Sequence, residues 1–179
     1  MQSPWAVILC KFQGSTGEPF PMQYYLDLFT VSDKGSPWNM VRYFSDYSHG
    51  ILDLSGSKVF GWYQLVQTVQ DYNTSIATPN APNLGGRGQL IKWARAAAKS
   101  AGVNNLSSFF STVVCTNAWV DIGAWNASAG PPPYGVVAQG TTPIPAVLGE
   151  EMGHVYGLMH SRVDGSDADY QDPWDGMSA

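Results

Sequence analysis

The stretch Thr142-Pro-Ile-Pro-Ala-Val-Leu-Gly-Glu150-Glu151-Met-Gly-His154-Val-Tyr-Gly157-Leu-Met-His160 decides how this chain is read. Thr142 is a good N-cap and Pro143 suits the first helical position. Pro145 still falls in the first turn, where no intrahelical N–H bond is lost. The spacing therefore predicts a helix from Thr142 to about Tyr156, with Gly157 placed to end it. Within it, Glu150 and His154 are four residues apart, so they project from one face one turn apart. Two ligands on one rigid helix make a chelating pair. Glu151 follows Glu150 and leans toward the same site, where a carboxylate beside a metal-activated water can shuttle its proton. A sharp turn at Gly157 can bring His160 back as a third ligand. His154 and His160 are two of only 3 histidines in the chain, which makes their spacing more telling.

The spacing is that of H-E-x-x-H-x-x-G-x-x-H, with Glu150 standing at the first histidine. Further along, Asp172-Pro-Trp-Asp-Gly-Met177 resembles the Met turn that accompanies this signature in the metzincin zinc peptidases. The two motifs in this order are more specific than either alone. The segment from Tyr43 to Tyr63 is similar to the strand region of gametolysin-like and immune-inhibitor-A-like metallopeptidases, and so is the segment from Gly153 to Arg162 taken with the Met177 turn. The resemblance implies a secreted zinc endopeptidase of α+β class, with a twisted mixed sheet packed on an active-site helix and a Met turn after it. It carries over His154 and His160 as ligands, Glu151 as general base and Met177 as the turn methionine.

Glu150 is the departure. A carboxylate ligates zinc at about 2.0–2.2 Å, much as imidazole does, and two histidines with one carboxylate form a zinc set of the thermolysin type. Its negative charge weakens the Lewis acidity of the metal and raises the pKa of a bound water. The expectation is a peptidase slower than a three-histidine relative, or one with a higher pH optimum. Two alternatives stay open. One is a non-catalytic protein that keeps the scaffold in a binding or structural role. The other is a non-haem iron site, which two histidines and a carboxylate also describe.

The rest of the sequence bounds these expectations. At 179 residues with 44% hydrophobic and 13% charged, the chain suits one domain, 1–179, with a real core. A net charge of -5 disfavours a nucleic-acid partner. No apolar run approaches the roughly 18–20 residues that span a bilayer, so no membrane span is expected. The expected partner is a polypeptide substrate met by a monomer. Pro4 and Trp5 lead straight into a strand-like run, so no signal peptide is visible. Both a mature secreted domain and a cytoplasmic protein fit that start. Sequons at Asn73, Asn105 and Asn126 fit secretion but also arise by chance.

Along the chain, 5–12 reads as a buried strand, 21–30 and 37–48 as helices, the second opened by Ser36-Pro37 and closed by Gly50. Residues 51–66 read as a bent strand or hairpin, 71–87 as a loop, and 88–100 as a helix with Leu90, Trp93, Ala94 and Ala97 on one face and Gly102 as its stop. Residues 109–122 read as a core strand, 123–133 as a loop, and 134–140 as a short strand at a sheet edge, where an extended substrate could pair.

Cys10 and Cys115 sit in apolar runs and read as buried free thiols, with a disulfide as the alternative. His49 follows a helix end and reads as a capping residue. The aspartates at 164, 167, 169, 172 and 175 read as a solvated acidic loop, or else as a structural calcium site. Tyr170 is a minor candidate for supporting an oxyanion. The 7 tryptophans are scattered and read as anchors of core and loops.

Overall fold

Strand β1, Trp5–Lys11, is buried from Trp5 through Cys10, as a central strand covered on both faces must be. The computed structural model describes residues 1–30, 39–77, 86–118, 126–128, 135–139, 145–172 and 175–178. Successive residues of β1 feed two separate cores. Trp5, Val7 and Leu9 enter one, and Ala6, Ile8 and Cys10 enter the other.

The first core is closed by helices α1 (Met22–Phe29), α2 (Met40–Tyr47) and α5 (Pro145–Val155), through Tyr25, Leu28, Phe29, Phe44, Leu148 and Met152. The second is closed by α3 (Val69–Ile76) and α4 (Gly86–Ser100), through Tyr72, Leu90, Ile91, Ala94 and Ala98. Between the two helical layers lies one sheet of β1, β2 (Lys58–Gln64), β3 (Ser111–Thr116), β4 (Asn126–Ser128) and β5 (Gly135–Gln139). Its order is β2-β1-β3-β5-β4. The first four are parallel to their neighbours, and β4 alone runs antiparallel, against β5. The class is α+β with a mixed sheet, as expected. No helix among the described residues is long and apolar enough to cross a membrane.

Several expectations need correcting. Of the two readings of residues 51–66, the strand holds for β2, whose register with β1 shifts between Phe60 and Tyr63, and the hairpin does not. Asp53 bridges to Gln2, and the chain then enters β2, which runs parallel to β1. Part of the expected 71–87 loop is helical. Thr68 caps α3 by accepting from the Asp71 amide, and the Asp71 carboxylate accepts from the Thr68 amide in return. The expected 123–133 loop contains β4. Because β4 pairs outside β5, the described part of the expected 134–140 strand is interior, and β4 holds the edge on that side. The buried face of α4 is Leu90, Ile91, Ala94 and Ala98, with Trp93 and Ala97 only half-buried at its border.

Ser36-Pro37 and Thr142-Pro143 lie outside the described residues. The described cap of α2 is Asn39. Its side chain accepts from the amides of Val41 and Arg42 at 2.9 and 3.2 Å and donates to the Asp27 carbonyl, which ties α2 to α1. His49 is exposed just past α2, with φ 53°, and Gly50 follows at φ 80°. Trp5, Trp62 and Trp93 are core and border anchors, while Trp38, Trp119, Trp125 and Trp174 lie outside the described residues.

Cys10 and Cys115 are both buried and free. Cys115 belongs to the first core and Cys10 to the second, so the sheet separates their side chains and no bridge forms. The close packing of β3 on β5 requires Gly135, where a Cβ would sit 2.6 Å from the Thr112 carbonyl.

Candidate metal centre

Helix α5 reaches the site along a face of small residues. A Cβ at Gly149 would sit 2.5 Å from the Tyr43 ring, and one at Gly153 would sit 2.6 Å from the Met177 Sδ. With nothing bulkier there, the helix settles against Tyr43 and Met177. Glu150 is then buried, and His154 is half-buried one turn later.

The helix ends in a Schellman motif. The Leu158 amide donates to the Gly153 carbonyl at 3.1 Å, and the Gly157 amide donates to His154 at 2.9 Å. This closure needs Gly157 in the left-handed region, at φ 92°. It also presents the Leu158 carbonyl to His154 Nδ1, 2.8 Å away. A carbonyl only accepts, so Nδ1 carries the proton and Nε2 keeps its lone pair for a metal.

Past the turn, His160 comes back as the spacing predicts. Glu150, His154 and His160 each offer one ligand atom, and these atoms all lie within 4.8 Å of one another. Glu150 Oε1 is 3.9 Å from His160 Nε2, and the two imidazoles meet edge to face with centroids 4.7 Å apart. The group can hold a metal ion. Two features of the chain fit one. Glu150 Oε1 is buried with no hydrogen-bond partner among the described residues, an arrangement that is costly unless a cation compensates it. Burial pushes the Glu150 carboxyl above its ordinary value, and the neighbouring His154 and His160 only partly offset this. Both histidines also have Nδ1 engaged by an acceptor, which leaves Nε2 of each as the nitrogen that could ligate, although that of His160 meets the Tyr170 hydroxyl at 2.8 Å.

Met177 is buried and connects to both histidines. Its side chain lies against Gly153, next to His154, and its carbonyl accepts from the amide of Ser161, next to His160, at 3.2 Å. Asp175 caps this segment. Its Oδ1 accepts from the Met177 amide at 2.9 Å and from the Tyr47 hydroxyl at 2.6 Å. Tyr43 wedges between α5 and the same segment, since a Cβ at Gly176 would also sit 2.5 Å from its hydroxyl. Glu151 is half-buried beside Glu150. It lies close enough that its charge, after desolvation and the charge of Glu150, holds the Tyr170 hydroxyl above its ordinary value.

Two residues of this site are not evident from the motif. Asp169 Oδ2 is 3.2 Å from His160 Nδ1, while its Oδ1 accepts from Arg162 Nε at 2.8 Å. Those bonds hold the Asp169 carboxyl below its ordinary value. The Tyr170 hydroxyl lies 2.8 Å from His160 Nε2, with the two rings 4.2 Å apart. The signal for this was the Asp164-Gly165 turn, which the sequence does show and which folds the chain back through Ser166. The acidic segment does not gather into a calcium site among the described residues. Asp169 serves His160 and Arg162, and Asp175 caps the Met177 segment.

No protein-family model and no curated protein matches this chain.

Proposed function

We propose that the chain is a zinc-dependent endopeptidase of metzincin type, with Glu150, His154 and His160 as the metal ligands and Glu151 as the general base. The observation that carries this is the convergence of those three side chains from one helix and the turn after it, with a second carboxylate beside the first. Zinc held there would supply Lewis acidity, lowering the pKa of a water and polarising a peptide carbonyl. Glu151 takes the proton of the attacking water and returns it to the leaving amine. The Schellman turn and the Asp169 carboxylate fix the two imidazoles so that neither must reorganise. Met177 takes the part of the turn methionine, supporting the floor of the site from below Gly153. An extended polypeptide pairs with β4, the edge strand on the side of β5. Such an enzyme acts outside the cell, as a monomer.

The test is metal analysis of the purified protein, followed by casein cleavage by wild type and by Glu151→Gln. One bound zinc, with cleavage lost in Glu151→Gln, supports the proposal. Bound zinc with no cleavage that depends on Glu151 leaves a metal-binding protein without peptidase chemistry.

A further inference from the structure

Consecutive residues hold both nitrogens of His160. Asp169 Oδ2 is 3.2 Å from Nδ1, and the Tyr170 hydroxyl is 2.8 Å from Nε2. In an extended segment, neighbouring side chains point to opposite sides. Here Tyr170 adopts φ 61°, the left-handed region that bulky residues avoid, and this turns both side chains onto one imidazole. Arg162 steadies the other oxygen of Asp169 at 2.8 Å.

The chemistry of the two contacts differs. An ionised carboxylate only accepts, so Asp169 keeps the proton on Nδ1 and makes Nε2 the better donor to a metal. The Tyr170 hydroxyl donates to Nε2. A metal on Nε2 and a hydrogen bond to Nε2 use the same lone pair and exclude one another. We infer that Asp169 and Tyr170 form a clamp on His160 that sets metal affinity in opposite directions, Asp169 raising it and Tyr170 competing with the metal. This rests on Glu150, His154 and His160 being the metal centre. Tyr170 is 53% exposed, so its hydroxyl has room to leave when a metal arrives.

Opposite signs distinguish a clamp from general damage to the loop. Zinc affinity is measured by competition with a chromophoric chelator, for wild type, Glu150→Ala, Asp169→Asn and Tyr170→Phe. Thermal unfolding in excess chelator confirms that each variant is folded. The clamp predicts that Asp169→Asn weakens zinc binding by about 10-fold or more. It predicts that Tyr170→Phe tightens binding by about 2–10-fold, the worth of one hydrogen bond no longer broken. Arg162→Gln, which leaves the Asp169 carboxylate in place but unsteadied, falls between wild type and Asp169→Asn, and it replaces that variant if Asp169→Asn does not fold. Zinc binding that depends on Glu150 but weakens in Tyr170→Phe makes the hydroxyl a ligand and overturns the clamp. So does zinc binding that depends on Glu150 but is unchanged in both clamp variants. If wild type takes up no zinc, the metal centre itself fails and the clamp with it.

Discussion

The Sδ of Met177 lies against Gly153, one residue before His154, so closely that a Cβ at position 153 would sit 2.6 Å from it. Alanine in a helix interior is ordinarily better than glycine by about 0.5–1 kcal/mol. Here the extra methyl must displace a buried thioether, and overpacking of that kind costs about 1–3 kcal/mol. Gly153→Ala is therefore expected to lose about 1 kcal/mol net, and to shift His154 with it. In a Met177→Ala background the same substitution has room and turns stabilising. Chemical denaturation of the four proteins in this cycle gives the answer. A Gly153→Ala effect with the same sign in both backgrounds would mean that the two residues do not press on each other.

Tyr156, at the end of α5, anchors the helix to β1. Its hydroxyl meets Ser3 Oγ at 2.8 Å and accepts from Trp5 Nε1 at 2.9 Å, and Trp5 is fully buried. Tyr156→Phe keeps the ring contacts with Phe44 and Phe110 but leaves the indole N–H without its acceptor. The expected loss is about 1–3 kcal/mol of stability. Zinc affinity should hardly change, because the lost bonds fix the helix to the sheet and not the imidazoles. A large loss of zinc affinity in a folded Tyr156→Phe protein would show that the anchor also sets the ligand geometry.

What the sequence revealed and what it hid follow one distinction. β1 was legible because a strand buried on both faces is apolar without interruption, as in Trp5–Cys10, and β3 because its β-branched and apolar Thr112–Cys115 run reads the same way despite the flanking Ser111 and Thr116. The convergence of Glu150, His154 and His160 was legible because helical spacing and a glycine turn are local properties. The edge status of residues 134–140 was not, since it depends on β4, three residues that pair across a connection. Helix α3 was hidden because it buries only Tyr72 and so shows little periodicity, although its Thr68 and Asp71 capping pair was there to be seen. Asp169 and Tyr170 were hidden for a further reason. Their role depends on a left-handed tyrosine and on a loop folding back over nine or ten positions to His160.

Cys10 and Cys115 should be silent to thiol reagents in the folded protein. Burial pushes the Cys10 thiol up to about 12. Burial does the same to Cys115, with a smaller contribution from Cys10. Thiolate is the reactive form, so almost none is present at pH 8. A chromogenic disulfide reagent should report no thiol in the native protein and both thiols in denaturant. Oxidation of the folded chain should form no internal bridge, because the sheet lies between the two side chains. Rapid labelling of one native thiol would mean that its side of the sheet opens.

Glu150 should make a metal bound at the proposed centre visible in stability alone. Its carboxyl is buried, and burial raises its folded value above the ordinary 4.5, with His154 and His160 pulling the other way. A carboxyl raised on folding supports the fold below its unfolded value and withdraws that support as pH rises through the folded one. In excess chelator, Glu150→Gln should therefore unfold at the same temperature as wild type, or lower, below pH 4.5. It should unfold at a higher temperature toward neutral pH, where wild type holds a buried charge that His154 and His160 only partly offset. Added zinc should reverse the order at neutral pH. The ionised carboxylate then has its cation, and wild type gains more from the metal than the neutral amide does. Thermal unfolding of both proteins across pH, with chelator and with zinc, gives four curves. If wild type stays the more stable protein at neutral pH in chelator, Glu150 is satisfied within the chain and does not wait on a metal.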